Sequence, residues 1–321
     1  MTQPIFILSL PRSGSTLLQR MLLADGECAT LGETSLLLRF LGDAHQVTRY
    51  AVYREHNIEI SKNDIRAKWP GFDAAYRAGI RDIMSKIYKE LAAGKRYFID
   101  KTPRYTLILD EIYQTFPDAK FIVLWRHPLA VAASICTSFH HNIWSLQDFE
   151  LDLTVGLDRL YQFQTQMQDR VCSIRYEDLV QTPLDVLNKL EAYLGLKNLS
   201  QVLEKELPSE TGGRLGDPTG VGKYQHISSA SRDTWAEQYN NWFRIRWAKR
   251  YYQHTRSTWL KEMGYTIPDT IQTASRVKNC LQGVIELQKS QQLKADYKKR
   301  IVKAMAKRQI YPHAIQLQKL K

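Results

Sequence analysis

The chain has 321 residues, 44% of them hydrophobic and 24% charged, the balance of an ordinary soluble protein with room for one α/β domain with additions or two small domains. No apolar run approaches the roughly 20 residues a membrane-crossing helix needs, which excludes a spanning segment. The net charge is +12, but twelve Lys and Arg against three Asp and Glu from Tyr265 onward supply +9 of it, so the basicity belongs to the tail.

Residues 5–8 are an apolar run that predicts a buried strand. Residues 11–16 follow as a tight turn, and Leu17, Leu18, Met21 and Leu22 then recur at helical spacing. A strand thus feeds a loop that opens a helix, whose free N–H groups and partial positive charge suit an anion. Gly14 lets the backbone approach a ligand closely. Ser13, Ser15 and Thr16 add hydroxyl donors, and Arg12 adds a permanently charged fork for phosphate or sulfate. This is not the G-x-x-x-x-G-K-[ST] loop of ATPases, because no lysine stands beside Ser15-Thr16. The start lacks a basic leader and Pro11-Arg12 interrupts its apolar run, which favours a cytoplasmic protein over a secreted one.

Residues 28–35 read as a polar loop or edge strand, and 36–41 as helical. Residues 43–71 are mixed in charge and form a candidate acceptor-binding insertion or lid. Residues 72–93 predict an amphipathic helix with Ala75, Ile80, Ile83, Met84, Ile87 and Leu91 on its apolar face, ended by Gly94. A second strand, 97–99, is followed by Asp100-Lys101-Thr102-Pro103, then a helix over 105–116. Strand 120–125 leads through Arg126-His127-Pro128 into helix 130–139. Strand 171–175 is followed by Tyr176-Glu177-Asp178-Leu179 and helix 183–194. Residues 209–231 are rich in Gly, Ser, Thr and Asp and predict a long loop or flap. Residues 235–260 read as helical and aromatic. In the tail, Val277, Leu281, Val284, Ile285 and Leu287 suggest one amphipathic helix, and Ile301, Val302 and Met305 a second. Strands alternating with helices predict an α/β fold, a P-loop-like parallel sheet flanked by helices, with a helical C-terminal extension. The polar residues of interest fall just past strand ends, where open α/β sheets bind ligands. Cys28, Cys136, Cys172 and Cys280 are scattered, so neither a zinc site nor a disulfide framework is expected, and most should be buried thiols.

The Pro11-Arg-Ser-Gly-Ser-Thr16 turn resembles the 5′-phosphosulfate loop of sulfotransferases that use 3′-phosphoadenosine 5′-phosphosulfate (PAPS). Arg126 and Ser134 resemble the 3′-phosphate element of the same family, an arginine ending a strand and a serine two helical turns onward; the pair supplies bidentate charge and a hydroxyl to one phosphate. Two phosphate elements suit an adenosine phosphorylated at both ends, PAPS rather than ATP. Tyr176, in Arg175-Tyr-Glu-Asp-Leu179, resembles the family's R-Y-E-D-L segment, which implies contact with adenine or ribose. Asp100-Lys-Thr-Pro103 resembles a segment of tyrosylprotein sulfotransferases and implies that Lys101 stabilises charge on the bridging oxygen. Leu31-Gly-Glu-Thr34 resembles their G-E-E-T-like segment and makes Glu33 the candidate general base, with Arg12 as a third catalytic group. Many members use a histidine instead; His127 reads as structural, and His140 and His141 remain alternatives. In the late glycine-containing loop, Lys223 would reach the 3′-phosphate, with His226 competing.

The resemblance covers about residues 4–265. It implies direct in-line sulfuryl transfer to an acceptor hydroxyl, without a covalent enzyme intermediate and without a metal, by a bacterial-type enzyme akin to the tyrosylprotein and polyketide-associated branches. Residues 1–265 would form the sulfotransferase domain and 266–321 a basic extension. The acceptor stays open among small-molecule, saccharide, lipid, polyketide and phenolic hydroxyls. A P-loop-like kinase using ATP and magnesium is the alternative, and it requires a first-loop lysine; a non-catalytic nucleotide-binding protein is a third reading. The tail could pack on the body, meet an anionic partner or membrane surface, or bind an anionic acceptor. It has no nucleic-acid-binding signature.

Overall fold

The computed structural model describes residues 2–42, 55–204, 207–208, 234–255, 257–273 and 279–307. Five strands, β1 (Gln3–Ser9), β2 (Cys28–Thr30), β3 (Tyr97–Lys101), β4 (Lys120–Trp125) and β5 (Val171–Arg175), form one sheet. Their order is β2-β3-β1-β4-β5 and every pairing is parallel. Parallel neighbours need long crossovers, and the intervening helices supply them. The chain leaves β1 toward β3 and β2 on one side, then returns to β4 on the other. The crevice at the C-terminal end of β1 is therefore the switch point at which such sheets bind ligands.

Both faces of the sheet are covered, so alternate residues enter two separate cores. From β1, Phe6 and Leu8 join one core while Ile5 and Ile7 join the other. From β4, Phe121, Val123 and Trp125 go to the first, and Ile122 and Leu124 to the second. The segment that read as polar loop or edge strand is an edge strand, with Cys28–Thr30 paired to Tyr97–Ile99. Among the described residues no helix is long and apolar enough to cross a membrane.

Several helices differ from expectation for tertiary reasons. Helix Phe72–Ala92 buries Ile80, Met84, Tyr88 and Ala92, and leaves Ile83 and Leu91 of the expected face exposed. Tyr88 decides the rotation: its ring stacks on Phe98 at 4.9 Å and its hydroxyl donates to Asp100 Oδ2 at 2.6 Å. The helix expected over 105–116 divides into a 3-10 turn, Pro103–Leu107, and helix Leu109–Thr115. The stretch 235–260 divides into a 3-10 turn, Thr234–Gln238, and helices Trp242–His254 and Ser257–Glu262. Asn241 makes the break, because its Oδ1 accepts from the N–H groups of Phe243 and Arg244 as an N-cap.

Among the described residues, the stretch expected to hold two tail helices is one continuous helix, Cys280–Lys307. Its apolar set does not dock it: Leu281, Val284 and Ile285 are exposed. It docks through Glu286, which is 7% exposed and pairs with Arg244 Nη2 at 2.5 Å. Asn241 Nδ2 and Trp144 N complete the shell of Glu286 at 2.6 and 2.9 Å. A buried carboxylate must take such partners, and this one outranks three aliphatic side chains in setting the face. Gly283 permits the approach, since a Cβ there would collide with the Trp242 indole. Of the cysteines, Cys28, Cys136 and Cys172 are buried and Cys280 is exposed; burial pushes the Cys28 and Cys136 thiols up to about 12, so they are unreactive.

Two buried titratable groups oppose one another in their effect on stability. Asp152 lies in a π-helical turn, Asp152–Gly156, 1% exposed. Burial outweighs Arg104, 3.7 Å away, and pushes its carboxyl up to about 6. Burial pulls the His127 imidazole down to about 4. Asp152 must ionise against the fold as pH rises from about 4 to about 6, while His127 must charge against the fold as pH falls from about 6.5 to about 4. The substitution Asp152→Asn removes only the first cost. It is expected to stabilise the chain by about 3 kcal/mol above pH 6 and to change little near pH 3, from roughly 1.4 kcal/mol per pH unit of displacement. Urea midpoints at the two pH values check this, and an equal gain at both would show packing rather than ionisation at work.

Candidate active site

The loop after β1 is shaped by two residues in the left-handed region, Arg12 (φ 64°) and Gly14 (φ 88°). Gly14 is required on two counts. L-residues rarely adopt that φ, and a Cβ there would collide with the Tyr176 ring. We expect Gly14→Ala to displace the Tyr176 ring and distort this loop while the sheet persists; near-UV beside far-UV circular dichroism checks it.

Two segments distant in sequence, 126–139 and the helix Tyr176–Gln181, meet at this loop. Arg126, at the end of β4, donates from Nη1 to the Arg12 carbonyl at 2.8 Å. Its guanidinium also lies 4.4 Å from the Tyr176 ring centroid. Arg12 donates from Nε to Ser134 Oγ at 3.3 Å and lies over Phe139, 5.7 Å from the ring centroid. Ser134 and Phe139 both belong to helix Pro128–Phe139, and Tyr176 opens helix Tyr176–Gln181. Ser15 and Thr16 begin helix Ser15–Leu23. The Ser13 hydroxyl is buried without a hydrogen-bond partner among the described residues.

The second cluster lies across the same loop. Lys101 ends β3 and its side chain is 1% exposed. Its ammonium donates to Glu33 Oε1 at 2.8 Å and reaches Thr16 Oγ1 at 3.5 Å. Glu33 is 25% exposed, so the pair is buried on its lysine side and open on its carboxylate side. Lys101 engages Oε1 of that carboxylate.

His127 is structural, as its position between Arg126 and Pro128 suggested. Its Nδ1 accepts from Leu129 N as the N-cap of helix Pro128–Phe139, so its Nε2 carries the hydrogen that meets the Thr266 carbonyl at 2.8 Å. With its pKa pulled down to about 4 by burial, it stays neutral near pH 7. His140 is buried and His141 exposed at the end of that helix. Lys223 and His226 lie outside the described residues.

Sequence reasoning missed Glu177. Its carboxylate accepts from the His127 backbone at 2.9 Å and from the Tyr265 hydroxyl at 3.0 Å, tying the turn after β4 to the turn after β5. It stands beside Tyr176 in the same motif, so adjacency was the available signal. The frame around Asp100 was also missed, because its partners are remote in sequence.

A glycine-bearing loop at the switch point of a parallel sheet, two arginines and a buried lysine–carboxylate pair thus come together at one site. The family model for the sulfotransferase family matches residues 4–200, and the chain belongs to that family. It is 27% identical over 214 residues to the nodulation protein NoeE of Sinorhizobium fredii, covering 59% of this chain and 49% of that protein. This chain therefore spans about half the length of that relative. It is 29% identical over 212 residues to a putative protein-tyrosine sulfotransferase of Caenorhabditis briggsae, covering 63% of this chain and 68% of that one. Among solved structures, the sulfotransferase domain from the curacin biosynthetic pathway shares the fold, with a TM-score of 0.53 and 22% identity over 84% of this chain and 99% of that domain.

Proposed function

We propose that this protein transfers a sulfuryl group from PAPS to an acceptor hydroxyl. The observation that carries the reading is the junction of Arg12, Arg126 and Ser134, an anion-binding corner set against the Lys101–Glu33 pair. The corner fits a nucleotide with two phosphate groups. Arg12 and the backbone around Gly14 would hold the 5′ side, and Arg126 and Ser134 the 3′ side. The orphaned Ser13 hydroxyl is a buried donor that a bound oxyanion satisfies. Tyr176 and Lys223 complete the binding set in this reading.

When bound, the donor supplies the chemistry: the acceptor oxygen bonds to sulfur, the sulfur–bridging-oxygen bond breaks, and the bisphosphate leaves with that electron pair. Glu33 takes the hydroxyl proton as general base. Lys101 and Arg12 stabilise the negative charge on the leaving side. The body doing this is residues 1–265, with 266–321 as a basic extension. The acceptor is a small-molecule, saccharide, lipid or polyketide hydroxyl, or a phenol; the likeness to a protein-tyrosine sulfotransferase supports a phenol among them.

Isothermal titration with 3′,5′-adenosine bisphosphate, beside ATP with magnesium, tests the donor. Bisphosphate binding that is lost in Arg12→Ala supports the reading. Binding of ATP with magnesium and no response to the bisphosphate overturns it in favour of phosphoryl transfer.

A further inference from the structure

The segment that carries Glu33 has little regular structure of its own. It follows the short edge strand β2, Gly32 and Ser35 both have positive φ (47° and 55°), and it precedes the short helix Leu36–Leu41. Side chains from elsewhere hold it. Gln19, on the helix that the anion loop opens, donates from Nε2 to the Gly32 carbonyl at 3.2 Å. Thr102, beside Lys101, accepts from Ser35 N at 3.1 Å. Asp100, on the other side of Lys101, accepts from the Thr34 hydroxyl, with Oδ1 at 2.9 Å and Oδ2 at 3.1 Å.

Asp100 is itself an unusual group. It is 0% exposed, and Tyr88 and Tyr105 also donate hydroxyl protons to Oδ2, at 2.6 and 3.0 Å. Among the described residues, three neutral hydroxyls donate to it. Burial pushes its carboxyl above the ordinary range, although those hydroxyls and Lys101 pull the other way. A carboxylate held in this fashion costs stability, and an apolar replacement would serve packing as well. Its position accounts for it. Side chains alternate along extended backbone, so Asp100 in β3 and Thr102, the extended residue just after it, fall on one side and Lys101 on the other. The same short stretch of extended backbone thus grips residues 34 and 35 while presenting the ammonium to residue 33.

We propose that Asp100, acting through the Thr34 hydroxyl, is a positioning residue that sets the Glu33 carboxylate against Lys101. The proposal deepens the sulfotransferase reading and rests on it for its catalytic consequence, though not for its geometry. Gln19 adds a tether from the nucleotide side, so the base is registered against both the anion loop and the lysine. A misplacement of about 1 Å at such a site costs on the order of a hundredfold in rate.

The test uses the full chain with Thr34→Val, which removes the hydroxyl at nearly constant shape, and Thr34→Ser, which restores it. Asp100→Asn is a third variant, and the threonine pair keeps the test valid if that one fails to fold. The first readout is the Lys101 ammonium resonance in 15N-lysine-labelled protein, assigned with Lys101→Arg and recorded without ligand. Thr34→Val is expected to move it as Glu33→Gln does, and Thr34→Ser to leave it in place. The second readout is PAPS consumption. The rate is expected to fall roughly tenfold to a hundredfold in Thr34→Val with the donor KM within about twofold, and to return in Thr34→Ser. An ammonium resonance in Thr34→Val identical to the native one overturns the proposal. A native protein that fails to bind 3′,5′-adenosine bisphosphate overturns the sulfotransferase reading instead, and leaves the ammonium result to decide the frame.

Discussion

Glu33→Gln is expected to slow sulfuryl transfer by roughly a hundredfold to ten-thousandfold, the span a positioned general base contributes, while bisphosphate affinity stays nearly constant. The substitution keeps the shape and one acceptor oxygen for the Lys101 ammonium, now at 2.8 Å from Oε1, and removes the group able to take a proton. The side chain lies at the open edge of the pair, 25% exposed, so the folded state tolerates the amide. Transfer of labelled sulfate from PAPS to phenolic, saccharide and acyl-alcohol acceptors, beside titration of the bisphosphate, measures both quantities. Parallel loss of affinity and rate would assign Glu33 to holding the loop. An unchanged rate would return the role of base to His140 or His141. Lys101→Met should cost rate as well, and stability too, because its ammonium is buried against that carboxylate.

Arg126→Ala should weaken bisphosphate binding by roughly tenfold to a hundredfold. A hydrogen bond to a charged group contributes roughly 1.5–3 kcal/mol, and each 1.4 kcal/mol is about tenfold in affinity. Arg126 acts twice. In the proposed reading it would offer its own charge to a phosphate, and through Nη1 it holds the carbonyl of Arg12 at 2.8 Å, the residue whose left-handed backbone shapes the loop. Its third contact, the Tyr176 ring at 4.4 Å, links it to the ring that leaves room only for glycine at residue 14. Arg126→Lys is expected to recover only part of the loss, since an ammonium cannot reproduce a planar fork stacked on an aromatic ring. Affinity in Arg126→Ala within about threefold of native would place the phosphates elsewhere.

Much of the sheet was legible in the residues. Strands 120–125 and 171–175 and helix 183–194 coincide with the observed elements, because each is bounded by residues that end regular structure, such as Pro117, Arg126-His127-Pro128 and Gly195. The strand–loop–helix start at residues 3–23 was legible for the same reason: a strand, a donor-rich turn and a helix start are neighbours in the chain. The faces of helices were not. Helix Phe72–Ala92 turned to place Tyr88 on Asp100, and helix Cys280–Lys307 turned to place Glu286 on Arg244, against the apolar pattern in both cases.

The residues in chain order were enough to fix the parallel α/β class, the position of the glycine-bearing loop at the first strand end, and the hydroxyl and guanidinium groups that stand there. Tertiary structure alone decided which of those residues touch: Arg12 with Ser134, Arg126 with the Arg12 carbonyl, Glu33 with Lys101, Thr34 with Asp100. Hydrophobic period and turn chemistry act between near neighbours and can be read along the chain. A buried charge takes its partner from whatever element packing brings within hydrogen-bond reach, and for these four contacts the partners stand 66 to 122 positions apart.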